Sequence, residues 1–273
     1  VTASHEREGF GLPKLTYRVW KVWRRNFDVF MKTFKVSFFP PLLEPIFYLA
    51  AMGAGLGALI TQSIEGQSYI QFIAPALVAI TIMYSSFFEC TYGSFVRMYY
   101  QRTFDAIIAT PISVEEVIAG EILWGATRSL IGGSIVLGVV AAFGLVTKPL
   151  ITSPLFILVL PVAFFSGLMF SAIGICFTAL APNIDFFNYP QYLFITPMFL
   201  LSNTFFPLTL LHNLPLQIFS QAVLPLTHTV NLARWALFGS GDLSFALSII
   251  WIAAVTVAFF VISINLMKRR LIR

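Results

Sequence analysis

Apolar residues along this chain gather in runs of about 20, the length at which a helix crosses the hydrocarbon core of a bilayer. The runs cover about 37–60, 70–95, 117–146, 154–180, 186–204 and 244–267. The pattern predicts an all-α polytopic membrane protein with six transmembrane helices, residues 1–273 forming a single transmembrane domain. A membrane barrel would show alternating segments of ~10 residues instead. Pro40, Pro41 and Pro45 crowd the start of the first run, so its beginning is expected to bend or unwind. Gly53 and Gly57 in the first run, and Gly125, Ser129 and Gly133 in the third, are spaced for close helix contact.

Two segments depart from this pattern. Over residues 13–35 the periodicity is helical. Leu15, Val19, Val22, Trp23, Phe27, Phe30 and Phe34 share one arc, while Lys14, Arg18, Lys21, Arg25 and Lys32 share the opposite one. A basic face opposite an aromatic face describes an amphipathic helix lying in the membrane interface; a target helix for a soluble partner is the alternative. Residues 1–12 are expected to be disordered. Residues 205–243 are apolar but broken by Pro207, Pro215 and Pro225, with His212, His228 and Arg234 between them. Two re-entrant extracellular half-helices fit this stretch, provided protein covers their broken backbone.

The longest polar interruption, 101–116, is more detailed than a linker requires. Thr103 is placed to cap a short helix, with Asp105 in its first turn near the positive end of the helix dipole. Phe104, Ile107 and Ile108 would share one side of that helix, and Pro111 would end it. Ser113 and Glu116 then form a capping box, with Ile112 and Val117 as its hydrophobic staple. The sequence therefore predicts a short rigid helix held at the membrane surface between two spans. A well-capped loop with no further role is the plain alternative.

Composition supports the membrane class: 58% of the chain is hydrophobic and 11% charged, against roughly 25% charged in soluble domains. The N-terminal stretch is polar and has no apolar core of a cleavable signal peptide. The net charge of +5 is distributed unevenly. Basic residues crowd the N-terminal 35 residues, flank the 101–116 stretch as Arg97 and Arg102, and close the chain as Lys268, Arg269, Arg270 and Arg273. The other side holds only Lys148 and Arg234. The positive-inside rule places both termini and the 101–116 loop in the cytosol. Charge facing anionic head groups also accounts for the basic balance without nucleic acid.

No phosphate-binding G-x-x-x-x-G-K-[ST], H-E-x-x-H or G-x-S-x-G motif is present. No catalytic residue is assigned, and no metal-ligand spacing appears. Cys90 and Cys176 sit in apolar runs and read as packed thiols. Ionisable residues within spans are candidates for function. Here they are Glu44, Glu89, Glu121 and Arg128, and helix-packing ion pairs are the alternative. Aromatic residues crowd the second and fifth spans. Among them Tyr84, Phe88 and Tyr192, with Tyr48 of the first span, join Glu44, Glu89 and Arg128 as candidates for a translocation path. Lipid-facing or packing aromatics are the alternative.

Taken together, the basic interfacial helix, the R-T-F-D-A-I-I-A-T-P-I-S segment and a late F-F-P-L-T…L-P-L-T-H-T-V-N-L-A-R segment resemble the ABC-2 type permeases. Within them the chain is similar to the NodJ-like, lipo-oligosaccharide-export branch. Further support comes from WKVWRRNF (20–27), EPIFYLAAMGAGLG (44–57), FIAPALVA (72–79) and ALAPNIDFF (179–187). The resemblance implies an exporter permease working as a homodimer with two separate ATPase subunits. ATP and Mg would be bound by those subunits, and this chain would bind no cofactor. The short helix would couple the two proteins, with Thr103, Phe104, Asp105, Ile107, Ile108 and Pro111 in a cleft of the ATPase. The late half-helices would close an outer gate through Phe205, Phe206, Pro207, His228 and Arg234. The cargo would be a lipid-linked or amphiphilic molecule such as a glycolipid, lipo-oligosaccharide or polysaccharide. A drug or antibiotic exporter is the nearest alternative. A proton-coupled transporter lacks the expected pair of broken spans in two halves, and a lipid-modifying enzyme lacks a convergent acid, base and nucleophile.

Overall fold

A computed structural model describes residues 15–57, 66–146, 150–207, 214–239 and 243–272. The expectations for residues 1–12 and for Lys14, Lys148, His212 and Arg273 lie outside these. The elements among the described residues are all helical. Helix α1 is Arg18–Ala50, continued by a π-helical stretch Ala51–Leu56. Helix α2, Tyr69–Phe88, runs on through two π-helical stretches, Glu89–Gly93 and Val96–Tyr100. The short α3 is Thr103–Ile108 and the long α4 is Val114–Val146. A 3-10 turn, Pro154–Leu158, leads into α5, Val159–Leu180. The next segment is broken into a 3-10 turn Ile184–Phe187, α6 at Asn188–Pro190, a π-helical stretch Gln191–Ile195 and α7 at Thr196–Leu201. Then come α8, Leu214–Val223, α9, Pro225–Phe238, and α10, Leu243–Leu271.

Four of these segments are long and apolar enough to cross a membrane: Tyr69–Tyr100, Val114–Leu145, Pro154–Leu180 and Phe245–Leu271. One expectation is corrected. Pro40, Pro41 and Pro45 do not unwind the chain, because α1 continues through them, joining the amphipathic segment to the apolar one as a single helix. Proline's fixed φ is helical, so each ring removes one backbone bond without forcing the helix to end there.

The centre of the bundle is α4 against α5 and α2. Lipid is as apolar as leucine, so helices in a membrane gain by close backbone approach rather than by hiding from water. The small residues of α4 supply that approach. Ser129 Oγ donates to the Ala163 carbonyl at 2.8 Å, a bond between helices. A Cβ on Gly133 would meet that of Ala163 at 3.1 Å, and one on Gly125 would meet Cys90 Sγ at 2.6 Å. On α5, a Cβ at Gly167 would run into the Ser129 side chain and lie 3.0 Å from Ala126 Cα. Both thiols are buried. Cys90 lies 3.6 Å from the Glu121 carbonyl, filling the seam between α2 and α4.

Gly138, on the same α4, has open space where a Cβ would go. We predict that Gly167→Ala lowers the thermal midpoint of the detergent-solubilised protein, at a cost of about 1–3 kcal/mol for overpacking. Gly138→Ala should be neutral or stabilising by up to about 1 kcal/mol. Equal midpoints for the two variants would contradict the packing described.

Candidate coupling and translocation site

The two π-helical stretches at the end of α2 widen the helix just where its charged residues lie. Such insertions are frequent at functional sites. Gly93 leaves room for an ion pair to close across them, since a Cβ there would sit 3.0 Å from Glu89 Oε1 and 3.4 Å from Arg97 Nη1. Arg97 Nη1 donates to Glu89 Oε1 at 2.7 Å, and its Nη2 donates to Glu121 Oε2 of α4 at 2.6 Å. Glu121 is completely buried. Its carboxylate also accepts from Ser94 Oγ at 2.6 Å and from Asn26 Nδ2 of α1 at 2.7 Å. Glu89 accepts from the Trp124 indole at 2.9 Å and lies 3.4 Å from Arg128 Nε. One cluster of charges therefore ties α1, α2 and α4 together. Glu121 and Arg128, proposed from sequence to pair with other helices, both pair with α2 residues.

Beside this cluster lies the loop carrying α3. The capping box forms as read: Ser113 N–H donates to Glu116 Oε2 at 2.8 Å, and Glu116 N–H donates to Ser113 Oγ at 3.3 Å. Val117 of the staple is fully buried. Thr103 is corrected. It is the first residue of α3 rather than its cap; Arg102 takes that position in the left-handed region (φ 49°) without a side-chain cap bond. The Thr103 hydroxyl instead accepts from Arg25 Nη2 at 3.3 Å. Phe104, Ile107 and Ile108 do share one side, and that side packs into the protein's own core, Phe104 completely buried. The outward side carries Asp105, Ala106, Ala109, Thr110 and Pro111.

The N-terminal part of α1 straps this loop from above, which the sequence did not disclose. Thr16 Oγ1 donates to Glu116, Arg18 Nη1 donates to the Pro111 carbonyl, and Trp23 Nε1 donates to Thr127 Oγ1 at 2.8 Å. At Gly120 the helices touch, with Val19 O 3.1 Å from where a Cβ would be. Burial pulls the Arg25 guanidinium below its ordinary pKa; Glu121 opposes the shift and Arg97 adds to it. It stays charged at neutral pH. The basic end of α10 joins the same end of the bundle, Lys268 Nζ lying 2.5 Å from Glu115.

Six of the seven candidate path residues converge. Glu44, Tyr48, Tyr84, Phe88, Glu89 and Arg128 line one groove of about 500 Å³, with Leu77, Ile80 and Phe199. Tyr192 does not join them; it is 67% exposed on the broken segment. Next to the groove is a cavity of about 410 Å³, lined among others by Arg25, Asn26, Phe30, Arg97, Trp124 and Arg128. Glu89, Gly93 and Arg128 belong to both. At the opposite end, Phe205 packs on Phe199 (ring centroids 4.8 Å apart) and Tyr48 (6.3 Å), and Pro207 is buried while Phe206 is partly exposed. His228 stacks on Trp251 and Nε2 lies 2.8 Å from the Gln221 carbonyl. Arg234 donates to the Asn203 carbonyl at 2.7 Å and lies over the Phe72 ring.

Apolar helices of membrane-crossing length, with a groove where aromatic walls meet charged residues, are the frame of a polytopic membrane protein. The comparisons make the class specific. Residues 17–238 match the ABC-2 type transporter family, and the chain belongs to that family. It is similar to Nodulation protein J of Rhizobium leguminosarum bv. viciae, 36% identical over 254 residues, covering 92% of this chain and 94% of that one. Nodulation protein J of Bradyrhizobium diazoefficiens is 34% identical over 262 residues, covering 96% and 97%. Inner membrane transport permease YadH of Escherichia coli (strain K12) is 24% identical over 249 residues, covering 91% and 93%. The chain is thus a transport permease of this family rather than an enzyme, and the family implies a partner ATPase.

The buried cluster carries a stability prediction. Arg97→Met leaves two carboxylates without their shared cation, which costs about 3–5 kcal/mol when an ion pair is broken from one side. The thermal midpoint should fall sharply, and adding Glu121→Gln should recover part of the loss. A midpoint for Arg97→Met within error of the parent protein would contradict the assignment.

Proposed function

We propose that this chain is the transmembrane subunit of an ATP-driven exporter that moves an amphiphilic or lipid-linked molecule outward across a bacterial inner membrane. The observation that carries the reading is the construction of the 101–116 loop. Its short helix is seated by Phe104, the helix that follows is capped at Ser113 and Glu116, and the loop is strapped by α1, while one face stays exposed. A rigid element transmits the displacement of an ATPase to the helices on either side; a floppy loop would absorb it. The exposed face of Asp105, Ala106, Ala109, Thr110 and Pro111 is the surface offered to the ATPase. The buried Phe104 acts from inside, by fixing that face to the bundle.

In this reading the chain is one transmembrane domain with six crossings. To the four long apolar helices it adds the apolar half of α1 and the broken segment 184–201. Helices α8 and α9 are the re-entrant pair, with Phe205, Phe206, Pro207, His228 and Arg234 at the outer gate. The interfacial part of α1, the coupling loop and the basic end of α10 share one end of the bundle, and the positive-inside rule makes that end cytosolic. Two copies of the chain and two ATPases form the working unit. The amphiphilic cargo is supported by the groove, where aromatic and aliphatic walls meet Glu44, Glu89 and Arg128, and by likeness to Nodulation protein J.

The test is a pair of exposed substitutions, Asp105→Arg with Ala109→Arg. The variant is expected to keep the parent thermal midpoint and lose copurification of the ATPase expressed with it. An ATPase that still copurifies in full would remove α3 as the coupling surface.

A further inference from the structure

The cavity beside the groove has an imbalance of charge. Three guanidinium groups line the cavity, those of Arg25, Arg97 and Arg128. Two carboxylates answer them, Glu89 on its wall and Glu121 beneath. Arg97 engages both carboxylates at hydrogen-bond distance. Arg25 donates to neutral oxygens, Asn26 Oδ1 at 3.0 Å and Thr103 Oγ1 at 3.3 Å, and feels the Glu121 carboxylate only through space. Arg128 is the less committed cation. Its Nε is buried and makes no hydrogen bond, standing 3.4 Å from Glu89 Oε2, while its guanidinium carbon lies 4.7 Å from the centre of the Phe30 ring. A buried donor without an acceptor is costly to leave so. Arg128 lines both the charged cavity and the largely apolar groove beside it.

We propose that Arg128, with Arg25 of the same cavity, binds the oxyanion headgroup of an amphiphile, a phosphate ester in the simplest case, whose apolar portion lies along Tyr84, Phe88 and Phe199. Glu89 is the internal counter-ion that holds Arg128 in the absence of the headgroup and competes with it. Guanidinium groups suit this role because their planar donors match tetrahedral and planar oxyanions. The proposal deepens the exporter reading, on which it rests, by assigning the cargo's charge and the residue that receives it.

The test is binding of dihexanoyl phosphatidic acid, dihexanoyl phosphatidylcholine and inorganic phosphate to the full chain in detergent, followed by thermophoresis. The expected order puts phosphatidic acid well ahead of the other two. Arg128→Gln should weaken its binding by about tenfold or more. Glu89→Gln, which keeps the shape and removes the competing charge, should tighten it by at least about fivefold. Misfolding does not produce a gain, so the second variant decides even where the first is damaged. Unchanged or weaker binding in Glu89→Gln overturns the proposal. Equal affinity for phosphatidylcholine removes the charge recognition, and equal affinity for inorganic phosphate removes the amphiphile. Copurification of an ATPase with the parent chain is scored separately, so failure of the exporter reading is distinguishable from failure of this site.

Discussion

The architecture depends on one buried constellation, Arg97 between Glu89 and Glu121. Charges placed this deep among apolar helices are costly, and they persist only when each is answered. Here the answers come from different elements: Ser94 and Arg97 from the π-helical end of α2, Asn26 from α1, and Glu121 and Trp124 from α4. Displacing any one of these helices would strand a charge. The cluster therefore fixes the relative positions of α1, α2 and α4. The 101–116 loop connects the last two.

That arrangement links the two ends of the proposed function. The loop's short helix is seated by Phe104 and held by Arg25 and Arg18 of α1. In the proposed exporter a push on its exposed face would pass to α2 and α4, the helices that carry Glu89 and Arg128. Those two residues line both the cavity and the groove. Under that proposal, movement at the loop and rearrangement at the charged cluster would be one mechanical event.

Much of this was legible in the sequence because it rests on local rules. The capping box is two residue types three positions apart, Ser113 and Glu116, and it forms as spaced. The small-residue stripe of α4 marked the contact with α5 through Ser129 and Gly133. Glu44, Tyr84, Glu89 and Arg128 were singled out as costly or aromatic residues within spans, and they share one groove. What stayed hidden depends on tertiary placement. The role of Asn26 follows from α1 lying across α4, which no periodicity reports. Thr103 has the chemistry of a cap, yet Arg102 takes that position and frees the hydroxyl for Arg25. Prolines 40, 41 and 45 suggested a break, but their φ is compatible with the helix that α1 continues. Tyr192 was grouped by composition with the other aromatics and lies apart, because the segment that carries it is broken and turns its ring outward. The π-helical stretches left one trace, Glu89, Gly93 and Arg97 at even intervals, legible only once the ion pair is seen.

The central claim, that this chain is half of a membrane pore driven by a separate ATPase, is tested most directly by native mass spectrometry of the particle released gently from its host's membranes. The account predicts a mass of two copies of this chain with two copies of a soluble ATPase. A stable particle of this chain alone, with no ATPase under the mildest extraction, would contradict it.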